Sequence, residues 1–278
     1  MKTEIIKLPF LKLLANLLIF VSFSVMIACN GGDDDEDRPA PLFPDDSTFM
    51  IDFSAFSTAD TTYLREIESF TNFGRALTNI AFWDTIISVD LEVPAAAFHG
   101  VSKENGIYDP TIDYWVWSYP IAVQSEFFRA KLHAWLVEDG VQWAMYVTSE
   151  GNYYDFFWFF GISETNLHEG EWYVYLDPDN WEPYIDITWG RNDQTKRYEI
   201  EYKYVLYQHP EENSFIQVTY KKEENYDCFS TIFWRSQNRF VYIDWDSENK
   251  AGRIKDSGYF GDSDWHCWNS YFLDVDCP

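Results

Sequence analysis

Polar and apolar residues alternate through the C-terminal two thirds of the chain, most clearly from Arg197 to Tyr204. There Arg197, Glu199, Glu201 and Lys203 interleave with Tyr198, Ile200, Tyr202 and Tyr204. Successive side chains of a strand point to opposite faces, so a period of two specifies a strand with one wet face and one buried face. Segments of the same character run over 114–123, 126–137, 141–148, 155–162, 171–176, 184–189, 214–222, 227–235, 239–245, 251–256 and 265–273. Short polar turns separate them, such as Glu138-Asp139-Gly140 and Ser236 to Asn238. Turns of this length suit hairpins, whereas parallel neighbours need crossovers of about a dozen residues. The spacing predicts a mainly β fold, an antiparallel meander of about 11–12 strands. Aromatic residues make up 20% of the chain, a composition that favours pleated, half-buried surfaces. A long flat meander leaves its edges open, so the sheet is expected to curl into a half-barrel or barrel.

Upstream the period changes. Phe70, Phe73, Leu77, Ile80, Ile87 and Leu91 recur at helical spacing and predict one N-terminal helix, capped by Thr71 or Asn72 and ended or kinked by Pro94. Its stripe of Phe73, Leu77, Ile80 and Ile87 is expected against the concave side of the sheet. One globular domain over 46–278 is expected, helical and irregular over 46–112 and a β-meander over 113–278.

The first 28 residues have a basic start and an apolar run from Leu13 to Ala28, which is too short for a comfortable membrane span of roughly 20 residues. They read as a signal peptide. Met26-Ile27-Ala28-Cys29 resembles the lipobox of bacterial lipoproteins, with Met26 where leucine is usual. The resemblance implies cleavage before Cys29 and an acylated cysteine, with the chains acting as a membrane anchor. Residues 29–45 carry the run Asp33-Asp34-Asp35-Glu36-Asp37 and prolines at 39, 41 and 44, and are expected to form a disordered tether. The acid run is similar to the surface-export signal of lipoproteins in the phylum Bacteroidota. The alternative is a plain spacer on a periplasmic lipoprotein, so an outer-membrane protein is expected at either the cell surface or the periplasmic face. Trp265-His266-Cys267-Trp268 with Asp274-Val275-Asp276-Cys277 resembles the tail of a lipoprotein family of that phylum to which no activity attaches. Asn72-Phe73 with Ala76 to Trp83, and Trp115 to Tyr119, resemble its helix and first strand.

The net charge is −26, and removing the signal peptide, with three Lys and one Glu, takes away +2 and leaves −28. Such a surface repels phosphate backbones, which argues against nucleic-acid partners. Gly-rich phosphate loops, a GxSxG elbow and HExxH are missing. His266, Cys267, Cys277 and Cys228 offer nitrogen and sulfur for zinc, but an exported chain favours disulfides. Three pairings are open to Cys228, Cys267 and Cys277; Cys267 with Cys277 is expected, because it ties down a short tail, and Cys228 bridged to that tail is its rival. Asp177-Pro178-Asp179-Asn180 with Glu182, and Asp244-Trp245-Asp246-Ser247-Glu248, are candidate calcium loops that compete with ordinary turn chemistry. Carboxylates such as Asp155 with Glu171, or Asp244 with Asp246, form candidate hydrolase pairs.

The remaining signal is aromatic excess on strands, in Phe156-Phe157-Trp158-Phe159-Phe160 and Trp172-Tyr173-Val174-Tyr175. Trp158, Trp172 and Tyr175 are the candidate ligand-binding residues, for a glycan or an apolar molecule. The expected function is a lipid-anchored, non-catalytic binding module. The alternatives are an interaction subunit of an outer-membrane complex and, further off, a carboxylate-pair hydrolase.

Overall fold

The structure is a computed structural model that describes residues 38–56, 71–223 and 225–278. The expected signal peptide, the acylation site Cys29 and the acidic run lie outside the described residues.

Fourteen strands follow in chain order: β1 Ile107–Asp109, β2 Tyr114–Val123, β3 Glu126–Val137, β4 Gly140–Ser149, β5 Tyr153–Ser163, β6 Glu169–Tyr175 and β7 Pro183–Asn192. Then come β8 Arg197–Tyr204, β9 Phe215–Tyr220, β10 Cys228–Trp234, β11 Arg239–Trp245, β12 Gly252–Lys255, β13 His266–Trp268 and β14 Asp274–Val275. Each pairs with the next in a single sheet whose spatial order is the sequence order. The pairs are antiparallel. The meander is therefore present, but the half-barrel or barrel is not. No pairing joins β1 to β14, and the sheet is open and not strongly curled. Closure was expected as the way to remove sheet edges. This chain blunts them instead, with edge strands of three and two residues that offer little backbone for another strand to pair with.

Among the described residues two helices replace the single N-terminal one expected, and a four-residue helix at Ser257–Phe260 follows β12. α1 spans Thr71–Thr85, a π-helical turn covers Ile86–Asp90, and α2 spans Glu92–Val101. The widened turn breaks the periodic stripe that ran on to Leu91. Pro94 neither ends nor kinks a helix, because it sits in the first turn of α2, where its missing N–H has no partner to lose. α1 packs Phe73, Ala76, Ile80 and Trp83 against the sheet, while Leu77 and Ile87 are only half-buried. Hydrophobic spacing misplaces the face because two asparagines share it. Asn72 Nδ2 donates to Cys267 O at 2.9 Å, and Asn79 Oδ1 accepts from Trp234 Nε1 at 2.9 Å. The N-cap is also remote: the backbone N–H groups of Thr71 and Asn72 donate to the carboxylate of Asp274 in β14, at 3.2 and 3.0 Å. That contact ties the helix start to the last strand.

Residues 38–45, expected as the end of the tether, lie against the domain. Phe43 packs on Phe98 and Trp143, with ring centroids 4.5 and 5.0 Å apart. Phe49 joins Phe98, Phe159 and Trp172 in one aromatic core, and Tyr202 donates its hydroxyl to the Phe49 carbonyl. Cys267 and Cys277 form a disulfide that fastens the C-terminal tail to β13, with Cα atoms 5.2 Å apart; Cys228 is a buried free thiol.

Candidate ligand-binding face

Alternation gives the sheet two chemically different sides. One carries Trp117, Leu132, Trp143, Phe159, Trp172, Ile187, Tyr202 and their neighbours, all buried under residues 38–56 and the two helices. Side chains of the opposite parity are mostly half-exposed, and no helix of the described residues lies over them.

That open side carries a file of six rings. Tyr114 in β2, His133 in β3, Tyr146 in β4, Phe157 in β5, Tyr175 in β6 and Trp181 in the following loop have successive centroids 4.8, 5.1, 5.3, 5.6 and 5.4 Å apart. Phe160 and Tyr173 stack beside it at 4.7 Å. Neighbouring strands lie about 4.8 Å apart, so the file climbs one strand per ring. An irregularity in the β4–β5 register permits it. Met145 pairs with Phe159 but Tyr146 pairs with Phe157, which leaves Trp158 as the extra residue and puts Phe157 and Phe160 on one face although they are three apart. Trp181, at the end of the file, is 59% exposed.

Beyond the rings the face turns polar. Asp186 in β7 stands directly across from Tyr173 on one side and Lys203 on the other. Among the described residues no hydrogen-bond donor reaches its carboxylate. Burial pushes its pKa up to about 6, against the pull of Lys203 and with help from the negative charge of Glu171. Glu201 on the same face is raised by burial as well, and His133 is lowered, first by burial and then by Lys131. Past this polar strip, Phe215, Phe233 and Phe240 form a second aromatic group, at 5.7 and 4.9 Å.

The raised pKa of Asp186 has a consequence for stability. Folded Asp186 holds its proton up to about pH 6, whereas the unfolded side chain loses it near 3.8. Between those values the native state binds more protons, so the contribution of Asp186 to stability falls as pH rises through this window. Asp186→Asn is expected to flatten that slope and to stabilise the fold at pH 7 by on the order of 1 kcal/mol. Urea melts of both proteins at pH 4.5 and 7 measure it, and parallel pH profiles would refute the assignment.

Of the three ring residues expected from the sequence, only Tyr175 lies on the open face. Trp172 is a fully buried core residue, and Trp158 is 5% exposed and wedged against Tyr153 and Phe156. Neither presents a ring to a ligand, because the irregularity and the strand parity turn both inward. The residues that sequence reading missed are Trp181, Tyr146, Tyr114 and Asp186. Strand parity places Tyr114, Tyr146 and Asp186 on this face, but only the register brings them together, and Trp181 reaches it from a loop that no periodicity marks.

The other candidates are occupied by structural partners. Asp177 accepts from the backbone N–H groups of Asp179 and Asn180, both at 2.8 Å, and Asp246 accepts from those of Glu248 and Asn249. These acidic loops, expected as candidate calcium sites, use their carboxylates to close turns. Of the carboxylates paired from the sequence, Asp244 is engaged by Arg253 at 2.7 Å and Asp155 by Lys131 at 2.8 Å. His266 stacks on Phe260 and contacts Asp262, while its neighbour Cys267 is held in the disulfide. Among the described residues no cluster of three His, Cys, Asp or Glu has the arrangement of a metal site. None of the described helices is long and apolar enough to cross a membrane.

On the covered side, a cavity of about 520 Å³ lies between residues 40–48, the end of α2 and the strand ends that carry Trp117, Trp189 and Tyr198. No protein-family model matches this sequence, no curated protein is similar to it, and no solved structure matches the fold.

Proposed function

We propose that the chain is a lipid-anchored, non-catalytic module that binds carbohydrate on the open face of its sheet, at the bacterial cell envelope. The observation that carries this reading is the file of half-exposed rings bordered by Asp186, a carboxylate without a donor. Sugars combine apolar C–H patches with rings of hydroxyl groups. A row of aromatic carbons takes up the first, and a half-buried carboxylate accepts from the second. An apolar ligand would be served better by an enclosed pocket than by an open sheet.

The anchor belongs to the same proposal. Cys29 follows a signal-like segment and a small residue, and two or three acyl chains there would hold the domain at the outer membrane. Cys29→Ser is expected to move the protein from the membrane pellet to the soluble fraction, and a variant that still pellets after a carbonate wash would remove the anchor from the proposal. Binding is tested by a broad glycan array with the Cys29→Ser protein, together with Tyr175→Ala and Asp186→Ala. Specific signals that both substitutions abolish support the carbohydrate reading, and an array without signals refutes it. An interaction subunit that used its acidic surface on a basic partner would instead lose that partner as salt rises.

A further inference from the structure

We infer that the ligand is an extended, uncharged, β-linked polysaccharide laid across the strands, an inference that rests on the carbohydrate reading above and adds its class and direction. Three observations support it. The file crosses the strands obliquely, from Tyr114 in β2 to Trp181 beyond β6, in five steps of 4.8–5.6 Å. A mono- or disaccharide would cover only one or two of these rings, so a contact surface this long is matched by a polymer. Its pitch is set by the spacing of strands, which is close to the advance per sugar in a straight β-linked chain. An α-1,4-linked glucan coils away from such a line.

Charge settles the class of polymer. Asp155, Glu171, Asp186 and Glu201 share the open face with Arg129, Lys131 and Lys203, Lys131 being held by Asp155 at 2.8 Å, and Asp177, Asp179 and Glu182 stand in the loop that carries Trp181. The whole chain is at −26. Uronate and sulfated glycans are repelled by such a face, whereas neutral hydroxyls donate to its carboxylates without a Coulomb penalty.

Titration calorimetry on the Cys29→Ser protein tests this with β-1,4-linked gluco- and xylo-oligosaccharides of two to six residues, a maltohexaose control, and alginate and heparin as anionic controls. Affinity is expected to rise at least tenfold from disaccharide to hexasaccharide, with little binding of the three controls. Trp181→Ala, in an exposed loop, should lower hexasaccharide affinity severalfold, and by a larger factor than it lowers disaccharide affinity. Tyr114→Ala, at the far end of the file, should do the same, with a thermal melt as its folding check. Affinity that levels off at two or three sugars, or that favours alginate, heparin or maltohexaose, would overturn the extended uncharged class while leaving carbohydrate binding in place. Failure to bind any glycan, here and on the broad array, would remove both.

Discussion

Replacing Asp256 by alanine is expected to destabilise the fold by about 3–5 kcal/mol, the usual cost of stripping one partner from a buried ion pair. The Asp256 side chain has no exposed surface, and both its oxygens are engaged. Oδ2 accepts from Arg75 Nε in α1 at 2.7 Å, and Arg239 Nη1 in β11 reaches both oxygens at 2.5–2.6 Å. Arg75 also lies over the Tyr259 ring at 4.6 Å. One carboxylate thus joins the helix to the sheet, and its removal leaves two guanidinium groups, only 19% and 13% exposed, without their counter-charge. A fall in Tm of roughly 10 °C corresponds to this loss in a chain of this size. Arg75→Ala in the same melts should cost less, because Asp256 keeps Arg239. A change below about 1 kcal/mol for Asp256→Ala, the range of exposed pairs, would mean that the triad opens to water in solution.

Trp172→Ala is expected to cost about 3–5 kcal/mol as well, by a different route. Its indole is fully buried between Phe98 and Phe159, at 5.1 and 5.7 Å, with Phe43 and Phe49 on its outer side at 6.0 and 6.3 Å. Space for it is made by Gly161 across the β5–β6 pair, where a Cβ would stand 2.4 Å from the indole ring and 2.2 Å from a backbone oxygen. The cavity left by alanine removes the seat of residues 38–49, so cleavage by a protease near Phe43 should accelerate along with the loss of stability. Tyr175 is the internal control. It stands on the same strand but on the opposite face, and Tyr175→Ala should cost no more than about 1 kcal/mol, within the range of a cross-strand pair, while weakening glycan binding. Equal costs for the two residues would overturn the division of the sheet into a core face and an open face.

The period of two from Tyr114 onward determined the most about this protein. It dictated strands, and short polar turns such as Glu138-Asp139-Gly140 allowed only hairpins, so the antiparallel meander was legible before any coordinates. The pairing of Cys267 with Cys277 was legible for a similarly local reason, a tail with nothing else to hold it. Other features depend on partners distant in sequence. Asn72 and Asn79 face the sheet because Cys267 O and Trp234 Nε1 await them there, and hydrophobic spacing cannot register a buried polar residue. The α1 cap comes from Asp274, some two hundred residues away. Strand parity marks which side chains share a face, but it carries no information on whether the two edges of a sheet meet, and here β1 and β14 do not. The candidate site belongs to this second kind. One extra residue at Trp158 reverses the parity of everything before it in β5, and the cross-strand register then sets Tyr114, Tyr146, Phe157 and Tyr175 in one line and Asp186 beside Tyr173. A sequence lists those residues on separate strands; only hydrogen bonding between the strands brings their side chains within about 5 Å of one another.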